Sequence, residues 1–332
     1  MDVPQLDEID EVLAAYALER RGVPEPVASG TLNWNYRVET AAGTVFVRRH
    51  RPELDVNRIA GEHAVIDFAA THGIPVAKPL KREGGATTLV SRAGTWAVFP
   101  WVDGHVPVRG AVTPAQAYAL GEMHSRIHAA FAKHPASHGA TFQMRWDKAE
   151  TLALLATCIG LARERHEPAV VQHAMAFQRD LLERTQIEPP SHFASLPTQL
   201  THGDFHGEQV LFASDGSIAA VTDWEMYQTT SRAFELIRAL GLSQLLHKPE
   251  ADDYLRGYRE HNCFTAEECR LGVQLWWQSR VNGAWVWYAY FVQGNERVAG
   301  LFPEILPELE RLADPGVRER LVERLMRVAG SI

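Results

Sequence analysis

The sequence predicts an α+β chain in two lobes, a small β-rich one over residues 1–102 and a larger, mainly helical one over 103–332. Three observations predict it. Between residues 29 and 99, β-branched and aromatic residues gather in short runs around Gly-containing turns. From Thr113 onward the apolar residues recur at helical spacing. Between the two lies PWVDGHVP, whose Pro100, Gly104 and Pro107 read as an irregular connection. A length of 332 residues exceeds one ordinary domain, and 46 % hydrophobic with 22 % charged residues is globular composition, which excludes disorder.

The elements follow in order. Residues 5–22 read as an amphipathic helix, with Ile9, Val12, Leu13, Tyr16 and Leu18 roughly on one face and Gly22 and Pro24 as the stop. SGTLNWNYRVET (29–40) and VFVRRH (45–50) meet at Gly43-Thr44 and read as a hairpin. NRIAGEHAVIDFAATH (57–72) has helical periodicity through Ile59, Val65, Ile66 and Ala69. Short strands are expected around 76–80, 87–91 and 96–99. A second hairpin, within the helical lobe, is expected near 209–223: QVLF, the turn SDG, then IAAVTD. QLWWQSRVNGAWVWYAYF (274–291) reads as a core helix. GAWVWYAYFV (283–292) is far short of the ~20 apolar residues a spanning helix needs and is expected as a buried helix, so no membrane partner is expected.

Charge and cysteine usage narrow the function classes. Lys+Arg number 33 against 41 Asp+Glu, a net charge of −8, which excludes a strongly basic nucleic-acid binder. Cys158, Cys263 and Cys269 are too few and too irregular for a disulfide framework or a zinc site. Five acidic residues and no apolar run within 1–11 argue against a signal peptide, so a cytoplasmic location is expected.

The segment THGDFHGEQVLFASDGSIAAVTDWE (201–225) carries the chemistry. Phosphoryl transfer from ATP needs one carboxylate to orient the acceptor hydroxyl and take its proton. A second carboxylate must hold Mg²⁺ against the phosphates, and a neutral oxygen ligand completes the metal site. In protein kinases the spacing is His-x-Asp, four residues, Asn, then an Asp on the next hairpin. His202, Asp204, Gln209 and Asp223 keep that spacing, with Gln209 where Asn is expected.

HGDFHGEQVLF and VTDWE resemble the catalytic segment of the aminoglycoside phosphotransferase superfamily, which includes choline kinase-like and type II homoserine kinase-like enzymes and has the protein-kinase fold. LGEMHSRIHAAF (120–131) resembles the helix that opens its second lobe, FPWVDG (99–104) its hinge, and GEHAVIDFAATHGIPVAKPL (61–80) a helix-to-strand segment of its first lobe. The resemblance implies a small-molecule kinase with ATP as co-substrate and Mg²⁺ as cofactor. It implies Asp204 as catalytic base, Asp223 as Mg²⁺ ligand and Gln209 at the second metal-ligand position. Glu62 would pair with the basic residue of the strand at 45–49. Only five lysines occur and none precedes Lys78, so that residue is Arg48 or Arg49, with Arg48 preferred. An Arg fork can clamp phosphate oxygens, so the chemistry survives the exchange. The nucleotide loop would be Ser29 to Tyr36, with Asn33 and Asn35 as donors, and the adenine would hang from backbone at Pro100 and Val102.

Two other readings compete. GDFHG also spells the opening of binuclear metallophosphoesterases, in which His202, Asp204 and His206 would share one strand face as ligands; the downstream echo, Gly294-Asn295-Glu296, lacks the histidine. A degenerate kinase that holds nucleotide without turnover fits Gln209 and the missing lysine, but not the retention of both aspartates. For the acceptor, residues 234–332 hold 14 acidic and 12 basic residues, a poor lure for a polycationic aminoglycoside. A smaller hydroxylated metabolite, an amino alcohol or hydroxy amino acid, is favoured. The rings within 274–291 are expected to be mostly core, with a cation–π wall for a quaternary amine as the sharper alternative.

Overall fold

The computed structural model describes residues 4–27, 32–134, 140–141 and 147–329. Five antiparallel strands form the first sheet: β1 (Glu25–Pro26), β2 (Trp34–Thr40), β3 (Gly43–Arg49), β4 (Thr88–Ser91) and β5 (Gly94–Pro100), in the order β1-β2-β3-β5-β4. The register pairs Tyr36 with Val47 and Val47 with Val98, so these three line one face with Val38, Val45 and Trp96. That face is apolar because it packs on helix α1 (Leu6–Ala15), whose Ile9, Val12 and Leu13 are each 1 % exposed. Side chains alternate across a strand, so Asn35, Arg48 and Ala97, paired across the same three strands, fall on the opposite face.

Helix α2 (Val56–Thr71) starts at Asp55, whose carboxylate accepts the Arg58 N–H at 2.8 Å. It buries Glu62 and His63 as well as Ile59, Val65 and Ile66. Helix α3 (Pro114–Phe131) opens with a Thr113/Gln116 capping box and Pro114 in its first turn. It meets the helix Glu250–Arg259 at backbone distance. A Cβ on Gly121 would lie 1.9 Å from the Tyr254 carbonyl oxygen, and one on Gly257 would lie 2.1 Å from that of Tyr118. Only glycine permits this approach. It brings His124 Nδ1 and His128 Nδ1 each to 2.7 Å from the hydroxyls of Tyr254 and Tyr258.

Packing groups the chain into two compact units, residues 1–140 with 199–229 and 239–262, and residues 141–198 with 230–238 and 263–332. The first holds the sheet, α2, α3 and the 201–225 segment. The second is helical, with Lys148–Glu164, Ala169–Arg184 and Ala266–Val281 among its longer elements. Buried Gln178 ties it together: its amide donates to the Val281 and Gly283 carbonyls and accepts the Trp287 indole N–H at 2.8 Å. Among the described residues, no helix is long and apolar enough to cross a membrane.

Three expected elements differ. The first helix ends at Ala15 rather than 22, because Ala17 turns left-handed (φ 55°) and Arg20 pairs with Thr40 at the sheet edge. No strand forms at 76–80. Val76 makes a single bridge to Val221, and Pro75 and Pro79, which lack N–H groups, deny the segment a ladder. The helix expected over 274–291 breaks after Val281: the chain caps at Asn282, then makes one α turn (Trp285–Trp287) and a π turn (Tyr288–Val292). Trp276, Trp277 and Trp287 are buried, as core rings should be, but Trp285 is 50 % exposed, so 283–292 is not a buried helix throughout. Trp277 already carries a cation, the Arg318 guanidinium 4.6 Å above its ring.

Candidate active site

The 201–209 segment is held by its neighbours rather than by regular structure. Gly203 has φ +85°, and a Cβ there would lie 1.8 Å from the Met226 carbonyl oxygen, so the turn that presents Asp204 requires glycine. His202 is fully buried. Its Nε2–H donates to the Thr222 carbonyl at 2.9 Å, and its Nδ1 accepts the Asp204 N–H at 3.3 Å. Both ring nitrogens therefore serve backbone, so His202 cannot join Asp204 and His206 as a metal ligand, and the phosphoesterase geometry is not formed. Phe205 is buried and stacks on His124, with ring centroids 4.4 Å apart. Asp204 and His206 flank this anchor in sequence and are partly exposed, His206 Nε2 lying 3.9 Å from Asp204 Oδ2.

The hairpin follows as Val210–Phe212 and Ile218–Val221. Asp223, just past it, adopts φ 60°, ψ 60°, a left-handed conformation that aspartate tolerates better than most residues. Its Oδ2 accepts from Gln209 Nε2 at 3.3 Å. Its Oδ1 is buried and pairs with Arg48 Nη1 at 3.1 Å. The same Nη1 is 3.6 Å from Glu62 Oε1, and Arg48 Nε donates to Asn35 Oδ1 at 3.2 Å. Arg49 points to the other face of the sheet, 3.8 Å from Glu8 and over the ring of Trp96. Thus Arg48, Glu62, Gln209 and Asp223 come together and Arg49 stays apart.

Burial opposes the charge on Arg48, but Asp223, Glu62 and Glu225 outweigh it and hold its pKa above the usual value. Glu62 is 2 % exposed with Oε2 unbonded, and burial pushes its pKa up to about 8 against the pull of Arg48. The folded state then holds this proton more tightly than the unfolded chain, whose ordinary value is 4.5. Stability from this group is full below about pH 4.5 and is lost as pH rises toward 8. Glu62→Gln is expected to flatten that window. Urea denaturation of both proteins at several pH values between 5 and 8.5 checks it, and equal slopes would contradict the assignment.

Asn33 and Asn35, expected as nucleotide donors, have partners of another kind. Asn33 Nδ2 donates to Glu225 Oε2 at 2.6 Å and its Oδ1 accepts the Arg51 N–H, while Asn35 braces Arg48. Residues 28–31, with Ser29, Gly30 and Thr31 of the expected nucleotide loop, lie outside the described residues. Pro100 ends β5 and Val102 follows in irregular chain, which is fixed to the hairpin by paired hydrogen bonds between His105 and Phe212. Sequence reasoning missed Glu225. It is 5 % exposed, lies 3.5 Å from Arg51, and offers its carbonyl to Arg58 at 2.8 Å. The available signal was an acidic residue two positions after Asp223, with a basic run at 48–51 to answer it.

The donor set suits a hard divalent cation. Asp223 supplies two carboxylate oxygens, one paired with Arg48 and the other beside the Gln209 amide, and an amide oxygen is the neutral donor type that Mg²⁺ accepts. Arg48, held by Glu62 and Asn35, presents a permanent cation beside those oxygens, as a phosphate-bearing ligand requires. Asp204, partly exposed and braced by His202, is a carboxylate able to accept a proton.

Comparison with known proteins shows the family and the fold. A profile of the phosphotransferase enzyme family matches residues 24–271. A homoserine kinase of Caulobacter sp. strain K31 is 27 % identical over 235 residues, 69 % of this chain and 68 % of that protein. A homoserine kinase of Burkholderia lata is 24 % identical over 299 residues, 82 % of each. Among solved structures, a microcompartment-associated aminopropanol kinase superposes with TM-score 0.64 at 16 % identity, covering 96 % of this chain and 100 % of the other. An amicoumacin kinase, solved with AMP-PNP, Ca²⁺ and its antibiotic, gives TM-score 0.63 at 16 % identity over 95 % and 97 %. The fold is that of these kinase-like enzymes, and with its family profile covering most of the chain, this protein belongs to the phosphotransferase enzyme family.

Proposed function

We propose that the chain transfers the γ-phosphoryl group of ATP, with Mg²⁺, to the hydroxyl of a small metabolite. The observation that carries this reading is the Arg48 guanidinium, 3.1 Å from Asp223 and 3.6 Å from Glu62, with Gln209 3.3 Å from the other Asp223 oxygen. Residues from four separate segments meet there in the donor pattern that nucleotide phosphates and a divalent cation need. Asp223 and Gln209 would hold Mg²⁺, which when bound neutralises charge on the transferring phosphoryl group. Arg48 neutralises the phosphates and Glu62 fixes its direction. Asp204 orients the acceptor hydroxyl and takes its proton. The pairing of a 24 % identical homoserine kinase with 82 % coverage and a near-balanced charge over 234–332 supports a hydroxy amino acid or amino alcohol as acceptor. Gln209 in place of the expected Asn, and arginine in place of the expected lysine, favour nucleotide binding without turnover.

The test is ADP release from Mg²⁺-ATP by the purified protein with homoserine, 1-amino-2-propanol, choline and an aminoglycoside in turn. Stimulation by one of the first three is expected. ATP binding with no stimulation by any hydroxylated compound would favour the non-turnover reading.

The two arginines provide a second prediction. A charge-assisted contact is worth ~1.5–3 kcal/mol, so Arg48→Ala is expected to lower kcat/KM for ATP roughly ten- to a hundredfold, and Arg48→Lys to recover part of it. Arg49→Ala should leave the kinetics near wild type, since Arg49 packs on Trp96. Steady-state kinetics of the three variants decide it. A crippled Arg49→Ala beside a healthy Arg48→Ala would overturn the assignment.

A further inference from the structure

His206 lies between Asp204 and Gln209 and has no role in the account above. Its Nδ1 accepts the Glu208 N–H at 3.3 Å, capping the short turn Gly207–Gln209. The Glu208 carboxylate is 3.7 Å from the same nitrogen, too far to accept from it. A neutral ring that accepts at Nδ1 carries its proton on Nε2. That Nε2 lies 3.3 Å from the amide end of Gln209, and the same amide atom is 3.3 Å from Asp223 Oδ2.

The Gln209 amide has two settings related by a half-turn of its terminal torsion. With nitrogen at the shared position it donates to Asp223, but it faces the His206 Nε2–H donor to donor. With oxygen there it accepts from His206, and two oxygens then stand 3.3 Å apart. Such oxygens repel each other unless a cation lies between them. Neighbouring oxygens around a Mg²⁺ with ligands at ~2.0–2.1 Å are about 3 Å apart, close to the spacing seen here. Gln also has one more rotatable bond than the Asn expected at this position, so its oxygen needs a restraint that the shorter side chain does not.

We propose that His206 is a positioning residue for the cation site: its Nε2–H donates to Gln209 Oε1 and turns that oxygen toward Asp223. This rests on the reading that Gln209 and Asp223 hold the metal. Partners that orient a metal ligand commonly contribute 10–100-fold in metal affinity.

The experiment measures Mn²⁺ affinity by EPR on enzyme saturated with AMP-PNP, relative to AMP-PNP alone, so no turnover is needed. His206→Phe keeps the ring and loses the donor, and is expected to weaken Mn²⁺ binding roughly tenfold. His206→Asn keeps the favoured cap for the Glu208 N–H but has no donor at the Nε2 position, and should be as weak as Phe. His206→Gln carries a donor to that position and should recover most of the affinity. In a Gln209→Ala background, His206→Phe should add nothing. If Asn binds Mn²⁺ like wild type while Gln does not, His206 is only a helix cap and the proposal is overturned. Asp223→Ala separates the two levels: unchanged Mn²⁺ affinity there removes the metal-site reading, and the His206 proposal with it. Loss there beside a wild-type His206→Phe removes the His206 proposal alone.

Discussion

Asp204→Asn is expected to lower kcat by ~10²–10⁴ while leaving ATP affinity and thermal stability near wild type. The amide has the size of the carboxylate and keeps the same backbone, so the Asp204 N–H still donates to His202 and Gly203 still supplies the turn. What is lost is the acceptor for the proton of the attacking hydroxyl. An amide oxygen orients a hydroxyl more weakly and does not take its proton at neutral pH. The residues proposed to bind ATP lie elsewhere: Arg48 reaches Asp223 and Glu62. The expected signature is therefore a fall in kcat with little change in KM for ATP, the mark of an interaction made in the transition state. Steady-state kinetics with a responsive acceptor, together with ATP titration by calorimetry, check both halves. Near-wild-type turnover would remove Asp204 from the chemistry.

Asp223→Ala is expected to abolish productive Mg²⁺-ATP binding and to destabilise the fold as well. The first loss follows from removing the proposed charged oxygen ligand, which Gln209 alone would not replace. The second follows from Arg48. Its guanidinium is buried, and without Asp223 it keeps Glu62, whose own pKa is pushed up to about 8, as the nearby acid at 3.6 Å. Removing one partner of a buried ion pair costs about 3–5 kcal/mol, and Asp223 is partly exposed, which places the expected cost at or below the lower end. Ala at φ 60° adds backbone strain that Asp tolerates better. A double variant with Arg48→Met should recover stability without recovering magnesium binding. Magnesium titration of the ATP complex and chemical denaturation read the two effects separately. An unchanged magnesium requirement in Asp223→Ala would contradict its role as ligand.

That the two arginines face different ways was legible because a strand has a period of two; which of them meets Glu62 was not, and the preference for Arg48 rests on the family resemblance alone. Arg48 shares a face with Phe46, Arg49 with Val47, and only one face looks away from the apolar helix α1. The 201–225 segment was legible for a different reason: its spacing is fixed by one turn and one hairpin, both short and local. The failures came where distant chain decides. Nothing local shows that residue 17 turns left-handed so that Arg20 can reach Thr40, whereas the break between the two helical pieces has a local stop signal in Asn282-Gly283. Asn33 lies within the expected nucleotide loop, Ser29 to Tyr36. Its partner Glu225 is 192 residues away, and no period reveals such a pair. The two prolines at 75 and 79 argue against a strand there, since neither can donate to a ladder.

The proposed reaction is transfer of phosphate from ATP to a hydroxyl with Asp204 as base. Phosphorus-31 NMR of the wild type with Mg²⁺-ATP and a responsive hydroxy amino acid or amino alcohol tests it most directly. A new phosphomonoester resonance should grow in step with ADP and stay absent with Asp204→Asn. ADP with inorganic phosphate but no ester, or the same ester at the same rate from Asp204→Asn, would contradict it.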